Sequence, residues 1–312
     1  MNDLCDLNSS TQSIGIVIPT YNRADALMVC LQHLERQTTD DFEVVVVNDG
    51  SNDSTSERLK TFQEQTSLRF RYVCQANGGP ARARNLAISM LRAPICLMIG
   101  DDIFASPDFV ATHLKLHRER SEIQVAGLGF TRWSEDGQLV TKFMRWLDSS
   151  GNQFAYGNLL KGAHPDWKHF YTSNLSVKTE LLRQYPFDVT FPNAAMEDME
   201  LGYRIQTQHG LELVFIPTAV ADHFHPTDFR QACRRMLTVG PSARHMYELW
   251  PQAQPAPIGK LKQSIFDIFL RNRWLLKPLV LLSDLLTRIW CPNPLMKIAL
   301  KVHYLIGYSV SP

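Results

Sequence analysis

The chain has 312 residues, of which 45% are hydrophobic and 20% are charged. These values are close to average globular usage, so they exclude a disordered or fibrous protein and predict one large domain or two medium ones. The formal net charge of +1 argues against nucleic acid as a partner. The charge is divided unevenly, because residues 251–312 carry a net charge of +6 and the 250 residues before them a net charge of −5.

Six cysteines are scattered along the chain without a CxxC pair, which gives little support to a zinc site or a redox-active disulfide. The first 13 residues are polar and lack the basic and apolar regions of a signal peptide. No run of about 18 uncharged apolar residues predicts a membrane-spanning helix. We therefore expect a cytoplasmic protein with reduced cysteines.

Strand and helix patterns alternate over the first 130 residues. Strands are predicted at 14–18, 42–47, 68–73, 95–99 and 123–129, and helices at 24–36, 52–65, 80–91 and 107–119. The run at 42–47 is apolar throughout, which is typical of a strand buried on both faces. The alternation predicts an α/β fold with an open, mostly parallel, Rossmann-like sheet flanked by helices.

The remaining residues are less regular. A strand is predicted at 172–177, a helix at 197–209, a short strand at 213–216 and a helix at 226–248. A proline-rich segment at 251–257 is typical of a linker, and 261–308 is predicted to form two or three helices broken at Pro278 and at 292–294. We therefore divide the chain into an N-terminal tail (1–12), two halves of the sheet domain (13–130 and 131–250) and a basic amphipathic helical region (251–312).

The C-terminal region mixes Leu, Ile, Phe and Trp with Arg and Lys, as residues 271–277 illustrate. A basic amphipathic helix of this kind is typical of contact with an anionic membrane surface. A helical subdomain that packs on the sheet domain, or on a second subunit, has the same composition. Both interpretations stay open from the sequence.

Polar residues directly follow three of the predicted strands. Pro19–Arg23 follows the first strand, Asn48–Ser51 the second and Gly100–Asp102 the fourth. In open α/β sheets, ligands bind beyond the carboxyl ends of the strands. The three clusters therefore predict one binding site at that edge of the sheet.

The acidic residues of these clusters fit both a binding role and a local structural role. Asp101 and Asp102 are adjacent carboxylates, which disfavour each other's charge unless a cation lies nearby. They suit a Mg²⁺ or Mn²⁺ site that also holds a diphosphate, but a helix cap or a solvated loop would use the same residues. Asp49 suits a ligand contact or an Asx turn. Residues 77–85 offer glycine amides and arginines to a phosphate, or form only a turn before a helix.

Two later clusters carry the same kind of ambiguity. Glu197 and Asp198 open a predicted helix, where acids stabilise the helix dipole or serve as a general base. His223 and His225 are spaced i, i+2 in an extended segment, so they point the same way and suit a metal, unless they are plain surface histidines. Trp167 offers an aromatic face to a ligand or packs in the core.

Six segments occur in an order and spacing that resemble family 2 glycosyltransferases with the GT-A fold. They are IVIPTYNR (16–23), VVNDGS (46–51), NGGPARARN (77–85), the acidic pair at 101–102, SNLSV (173–177) and EDMELGYRI (197–205). The resemblance covers about residues 13–240. It implies a GT-A fold, to which the C-terminal helical region is added.

The resemblance also implies a role for each matched residue. Asp198 corresponds to the general base and Asp102 to the metal-binding acid, while His223 resembles a late metal-ligand histidine, with His225 the less favoured choice. The nucleotide is assigned to Pro19, Thr20, Tyr21, Arg23, Asp49, Arg84 and Asp101, and the acceptor to Trp167 and Glu197.

Two positions depart from the family pattern. Gly100 stands where many relatives carry the first acid of the metal motif, which leaves Asp102 as the main carboxylate and makes a histidine ligand more useful. Asn48 replaces a frequent Asp, but Asp49 keeps the residue expected at the nucleotide base.

The implied activity is that of a metal-dependent inverting glycosyltransferase that uses Mn²⁺ or Mg²⁺. It would move a sugar from a nucleotide-sugar, by family frequency a UDP-sugar, to a hydroxyl of a saccharide or lipid-linked acceptor in glycan, polysaccharide or glycolipid synthesis. Membrane contact at the inner face or self-association through the C-terminal helices would accompany it.

Two other function classes are considered. A nucleotidyltransferase would need a Gly-rich loop with a Lys after the first strand, where PTYN stands instead. A silent sugar-binding or scaffold protein would be expected to lack Asp102 or Asp198, and both are present.

Overall fold

The computed structural model describes residues 12–151, 153–255 and 260–309. The predicted N-terminal tail lies outside the described residues except for its last position, and so does the end of the proline-rich segment. The part of that segment that is described forms a 3₁₀ helix at Pro251–Ala253.

The elements alternate as predicted in the first half of the chain. The strands are β1 (Ile14–Thr20), β2 (Phe42–Asn48), β3 (Arg69–Cys74), β4 (Ile95–Ile99), β5 (Ile103–Ala105) and β6 (Val125–Trp133). The helices between them are α1 (Ala24–Glu35), α2 (Thr55–Gln65), α3 (Gly79–Met90) and α4 (Phe109–Glu119).

The second half is richer in helices. It contains α5 (Lys142–Ser149), α6 (Tyr156–Leu159), β7 (Asn174–Lys178), α7 (Thr179–Gln184), α8 (Glu197–His209), β8 (Glu212–His223), α9 (Phe229–Leu249), α10 (Lys260–Arg271), α11 (Leu276–Ile289) and α12 (Pro294–Ser309).

The described strands form one eight-stranded sheet in the order β3-β2-β1-β4-β7-β6-β8-β5. β1 to β4 are mutually parallel. β7 is antiparallel to both of its neighbours, β8 runs parallel to β6, and β5 is antiparallel to β8 at the edge. The predicted α/β sheet flanked by helices is confirmed, and the antiparallel pairs are confined to its second half.

The burial pattern explains why these segments form strands and helices. All seven residues of β2 are buried, as expected for an apolar strand covered on both faces. Helix α1 buries Leu27, Cys30, Leu31 and Leu34, which is the face that its sequence spacing predicts. The alternating residues of β1 and β2 enter two different core clusters, one on each side of the sheet.

Strand β8 is much longer than the predicted 213–216 and ends at His223. Its register against β6 shifts between Gly129 and Phe130, so the exposed Pro217 and Thr218 bulge out of the ladder. These two residues interrupt the apolar pattern, which is why the local sequence indicates a shorter strand. The short β5 pairs with the end of β8.

The predicted helix break at Pro278 is wrong. Pro278 is the third residue of α11, and the chain breaks earlier, at Asn272–Leu275. Proline is tolerated in the first turn of a helix because the amide there has no carbonyl partner within the helix. Within the described residues, no helix combines the length and the apolar character needed to cross a membrane.

Helix α12 packs on α9 with the two backbones in close approach. A Cβ atom on Gly240 would lie 2.3 Å from the amide nitrogen of Tyr308, and one on Gly307 would lie 2.4 Å from the carbonyl oxygen of Leu237. Only glycine fits at such a crossing. The last helix is therefore packed against the sheet domain, as one of the two interpretations of the C-terminal region proposed.

We expect Gly240→Ala to lower the free energy of unfolding by about 1–3 kcal/mol, because the added methyl group forces α9 and α12 apart. Gly157→Ala in α6 is the matched control, since a Cβ atom there meets nothing within 4 Å. We expect the control to change stability by no more than about 0.5 kcal/mol. Chemical denaturation of both variants is the measurement, and equal stabilities would contradict the close helix crossing.

Candidate functional site

The carboxyl ends of β1, β2 and β4 meet at one cavity of about 680 Å³. All seven residues assigned to the nucleotide from the sequence line it, together with one assigned to the metal and one to the acceptor: Pro19, Thr20, Tyr21, Arg23, Asp49, Arg84, Asp101, Asp102 and Glu197. The opposite wall comes from residues 188–189 and 191–194, which the sequence analysis did not identify. That segment has no periodic pattern or charged motif that could have pointed to it.

Asp49 anchors the glycine loop that opens α3. Its carboxylate accepts hydrogen bonds from the amides of Gly78 (2.9 Å) and Gly79 (2.8 Å) and from the side chain of Gln75 (2.7 Å). Gly79 has a φ of +84°, a conformation that favours glycine. The two amides that the sequence offers to a phosphate therefore bind Asp49, which holds this wall of the cavity in place.

Asp101 and Asp102 lie side by side, both buried, at the end of β4. Asp101 accepts hydrogen bonds from the Thr20 hydroxyl (2.7 Å) and from Arg23 (3.3 Å). The Arg23 guanidinium also binds Asp102. Burial and the charge of Asp102 raise the pKa of Asp101 to about 6, against the lowering effect of Arg23.

The pairing of β5 with β8 brings two histidines to Asp102. Ile103 pairs with His223, and the amide of Phe224 donates to the Asp102 carbonyl (2.8 Å). Nε2 of His223 lies 3.3 Å and Nδ1 of His225 lies 3.4 Å from Oδ2 of Asp102. One ligand atom from each of these three residues lies within 4.8 Å of the other two.

These contacts change the electrostatics of Asp102. Burial alone would raise the pKa of Asp102, but the charge of His223, hydrogen bonds from both histidines and the charge of Arg23 hold it well below its usual range. Asp102 is therefore ionised at neutral pH, as a cation ligand must be.

Trp133 positions the first of the two histidines. Its ring stacks on His223 with the centroids 5.3 Å apart and the planes inclined by 11°, and its indole nitrogen donates to the carbonyl of Met144. His223 in turn stacks on His225 at 5.2 Å. The place of Trp133 beside His223 follows from the β6–β8 pairing, in which these two residues are partners.

One carboxylate and two imidazoles form a donor set that suits a divalent transition metal ion. Mg²⁺ prefers oxygen ligands, whereas Mn²⁺ accepts both carboxylate and imidazole. The side chain of Arg23 reaches into this group, with a nitrogen 2.9 Å from Nδ1 of His225. A metal bound here would therefore have to share the carboxylates with Arg23 or displace it.

Asp198, the second residue of α8, lies in a second acidic pair beside Glu197. Burial and the charge of Glu197 raise the pKa of Asp198 to about 6, while Arg84 opposes the shift. Arg84 donates to Glu197 at 3.1 Å, and both side chains are nearly buried. Met196, just before the pair, has a φ of +70°, and such strain in a non-glycine residue is typical of functional sites.

A second cavity of about 1260 Å³ adjoins the first. Arg23, Arg84, Asp102 and Glu197 line both cavities. Asp198, both histidines, two aromatic residues and one face of α9 line only the second: Phe154, Tyr171, Asp198, His223, His225, Gln231, Arg235, Met236 and Val239. The structure thus places Asp198 and the Asp102–histidine group in the wall of one continuous cleft.

Trp167 lies apart from the described residues that line these two cavities. It belongs to a 3₁₀ helix at 167–169, packs edge-on against Tyr203 of α8 at 5.1 Å, and its amide donates to Gln206. Phe154 and Tyr171 supply the aromatic surface of the larger cavity instead. Neither stands in a motif, so the sequence does not single them out.

The chain matches the model of the protein family described as glycosyl transferase family 2 over residues 15–173. Among curated proteins, it is 29% identical to the glycosyltransferase YfnE of Bacillus subtilis over 69% of this chain and 65% of that protein. It is 30% identical to validoxylamine A glucosyltransferase of Streptomyces hygroscopicus subsp. jinggangensis over 64% of this chain and 52% of that protein. The chain thus spans less than two thirds of the length of either relative.

Two solved structures share the fold. A mannosyltransferase from Pyrobaculum calidifontis, PcManGT, in complex with GDP-Man and Mn²⁺, superposes with a TM-score of 0.58 and 18% identity over 97% of this chain and 77% of that chain. TarS 1–349 of S. aureus superposes with a TM-score of 0.52 and 13% identity over 95% of this chain and 89% of that chain. At these identities the likeness concerns the fold, and it confirms the predicted GT-A architecture with C-terminal helices.

Proposed function

Since the chain belongs to glycosyl transferase family 2, we propose that it is a metal-dependent inverting glycosyltransferase. It would transfer a sugar from a nucleotide-sugar to an acceptor hydroxyl. The observation that carries this proposal is the single cleft in which Asp198 and the group of Asp102, His223 and His225 both lie. A base for the acceptor and a cation site for the leaving group are the two functions that the reaction needs.

Asp198 is the proposed general base. As the acceptor oxygen bonds to the anomeric carbon, its proton passes to the Asp198 carboxylate. The bond from that carbon to the donor phosphate oxygen breaks, and the nucleoside diphosphate leaves with the electron pair. A single displacement inverts the anomeric configuration. Partial burial suits Asp198 to this role, because a raised pKa makes a carboxylate a stronger base.

Asp102, His223 and His225 are the proposed ligands of the cation, either Mn²⁺ or Mg²⁺, with Mn²⁺ favoured by the donor set. When bound, such an ion neutralises charge on the departing diphosphate. Both histidines enter this proposal, although the sequence favoured His223 alone. Asp101 holds Arg23 and Thr20 beside the site.

The smaller cavity is the proposed donor site and the larger one the proposed acceptor site. We propose a UDP-sugar as donor, with a GDP-sugar as the alternative because PcManGT was solved with GDP-Man. A saccharide or lipid-linked acceptor is proposed, and a lipid-linked one would place the reaction at the inner face of a membrane. Residues 13–130 would supply most of the donor site, and 131–250 the base and the acceptor wall.

The two other function classes have less support. A nucleotidyltransferase would have no use for a base beside the cation site. A silent scaffold would not need Asp198 and Asp102 in one cleft. A donor screen separates the three, because only the glycosyltransferase releases nucleoside diphosphate in proportion to a glycosylated acceptor.

We expect Asp198→Asn to reduce transfer by about 10²–10⁴-fold, because the amide cannot accept the acceptor proton. Donor binding should stay within about twofold of the wild type, since the substitution keeps the shape of the side chain. Asp40→Asn, at an exposed position before β2 on the opposite edge of the sheet, is the control. Steady-state rates and nucleotide titration are the measurements, and joint loss of transfer and donor binding would contradict the base assignment.

The pH profile should reveal the two charges that surround Asp198. Because only the carboxylate accepts a proton, kcat/KM should rise with pH through about 6. Glu197→Gln removes a charge that raises the pKa of Asp198, so the rise should move to lower pH, on the order of one unit. Arg84→Gln removes a charge that lowers this pKa, so the rise should move to higher pH. Shifts in the same direction for both variants would refute the assignment.

Binding of Mn²⁺ can be measured by electron paramagnetic resonance without any substrate. It should distinguish the proposed ligand Asp102 from Arg23, the cation that competes with the metal. Asp102→Asn should abolish binding, because it removes the shared carboxylate. Arg23→Gln should tighten binding by about tenfold or more, since a cation that competes for the same carboxylates is lost. Arg58→Gln, which removes a half-buried arginine paired with the exposed Asp25, should leave Mn²⁺ binding unchanged. Unaltered binding in Asp102→Asn would place the metal elsewhere.

A further inference from the structure

Helix α11 turns an apolar stripe towards solvent. Leu281, Leu285 and Ile289, spaced four residues apart, are 56%, 59% and 77% exposed. We call these three residues, with the exposed Trp274 before the helix and Trp290 after it, the α11 face. Single exposed leucines are ordinary on protein surfaces, but a continuous stripe marks an interaction site.

The inner side of α11 is only partly apolar, because two polar residues are buried there beside Leu279, which packs in a core cluster. Ser283 and Thr287 are buried on its inner side, where their hydroxyls donate to carbonyls of the same helix, each at 2.6 Å. An amphipathic helix that only covers a core buries its leucines, whereas α11 buries Leu279 and exposes Leu281 and Leu285. The observed orientation therefore indicates that the apolar side has a partner of its own.

Cations surround the α11 face. Lys277 and Arg288 stand four residues before Leu281 and three after Leu285, hence beside the stripe, and Arg271 and Arg273 lie just before the helix. None of these four forms an ion pair with another described residue. Asp284, the acidic residue of this helix, forms an ion pair with Arg230 of α9 at 2.8 Å.

We propose that the α11 face binds the surface of an anionic lipid bilayer. The leucines and Ile289 would enter the boundary between headgroups and acyl chains, the indoles would lie at the headgroup level, and the four cations would contact lipid phosphates. A second copy of the chain is a poorer partner, because a twofold interface on this face would bring the same cations close to each other.

Helix α9 connects the α11 face to the larger cavity. Arg230 of α9 holds α11 through Asp284, and the next residue, Gln231, lines the larger cavity. Docking of the α11 face would therefore bring the proposed acceptor cavity near the bilayer, where a lipid-linked acceptor resides. The membrane proposal itself does not depend on the transferase assignment, since vesicle binding is measured without donor or acceptor.

Flotation of the full chain with vesicles tests the apolar part of the surface. We expect the wild type to float with phosphatidylcholine vesicles that contain phosphatidylglycerol, and Leu281→Gln combined with Leu285→Gln to weaken binding by roughly tenfold or more. Leu139→Gln combined with Leu160→Gln is the matched control, because these leucines are 84% and 57% exposed elsewhere on the chain. The control should bind like the wild type.

The charge is tested in the same assay. Lys277→Gln combined with Arg288→Gln should weaken binding to anionic vesicles by about tenfold or more, whereas Lys60→Gln combined with Lys161→Gln should not. Absence of wild-type flotation, or equal flotation of the Leu281/Leu285 variant, would overturn the proposal. A self-association result would also overturn it: the wild type forms a dimer by light scattering, the Leu281/Leu285 variant is a monomer, and neither protein binds vesicles.

Discussion

Two adjacent buried carboxylates at the end of β4 are the constraint on which the rest of the site depends. Asp101 and Asp102 cannot both be ionised in a buried position without cationic or hydrogen-bonding partners. The fold supplies these from two directions, with Thr20 and Arg23 from the end of β1 and the histidines from the end of β8. These partners act unequally on the two carboxylates, because the pKa of Asp102 is lowered whereas that of Asp101 is raised.

A second acidic pair, Glu197 and Asp198, lies in the same cleft. Arg84 forms an ion pair with Glu197, whereas Asp198 forms no ion pair with a described residue and has a raised pKa. Each of the two pairs thus contains one acid whose pKa is raised, Asp101 in the first pair and Asp198 in the second. This asymmetry suits a reaction that needs a cation on the leaving group and a base on the nucleophile.

The structure shows where the acidic and the basic parts of the chain lie. Several acids of the negatively charged body are placed around the cleft, where they face cations. The positively charged C-terminal region divides into two parts with different surroundings. Helix α12 is packed against α9 through two glycines, whereas α11 exposes Leu281 and Leu285 beside cations that form no ion pair with a described residue. Packing against the sheet domain therefore holds for α12, whereas membrane contact is proposed for α11.

The sequence by itself determined the order of the strands and helices in the first half and the edge of the sheet where the site lies. Both follow from local causes, namely apolar periodicity and the rule that parallel strands end at one edge. Helix α8 is predicted with the bounds that the structure shows, because its charged first turn and its terminal glycine mark both ends. The acidic residues of the site lie in segments whose secondary structure the local sequence predicts.

Only the tertiary structure decided which of these residues meet. His223 contacts Asp102 across 121 positions of sequence because a bulged β8 pairs with a three-residue β5, and neither feature has a local signature. The same holds for the use of the glycine amides by Asp49, for Trp133 behind His223 and for the outward face of α11. Each depends on the register or packing of distant segments, which burial and hydrogen bonding select only when the whole chain is folded.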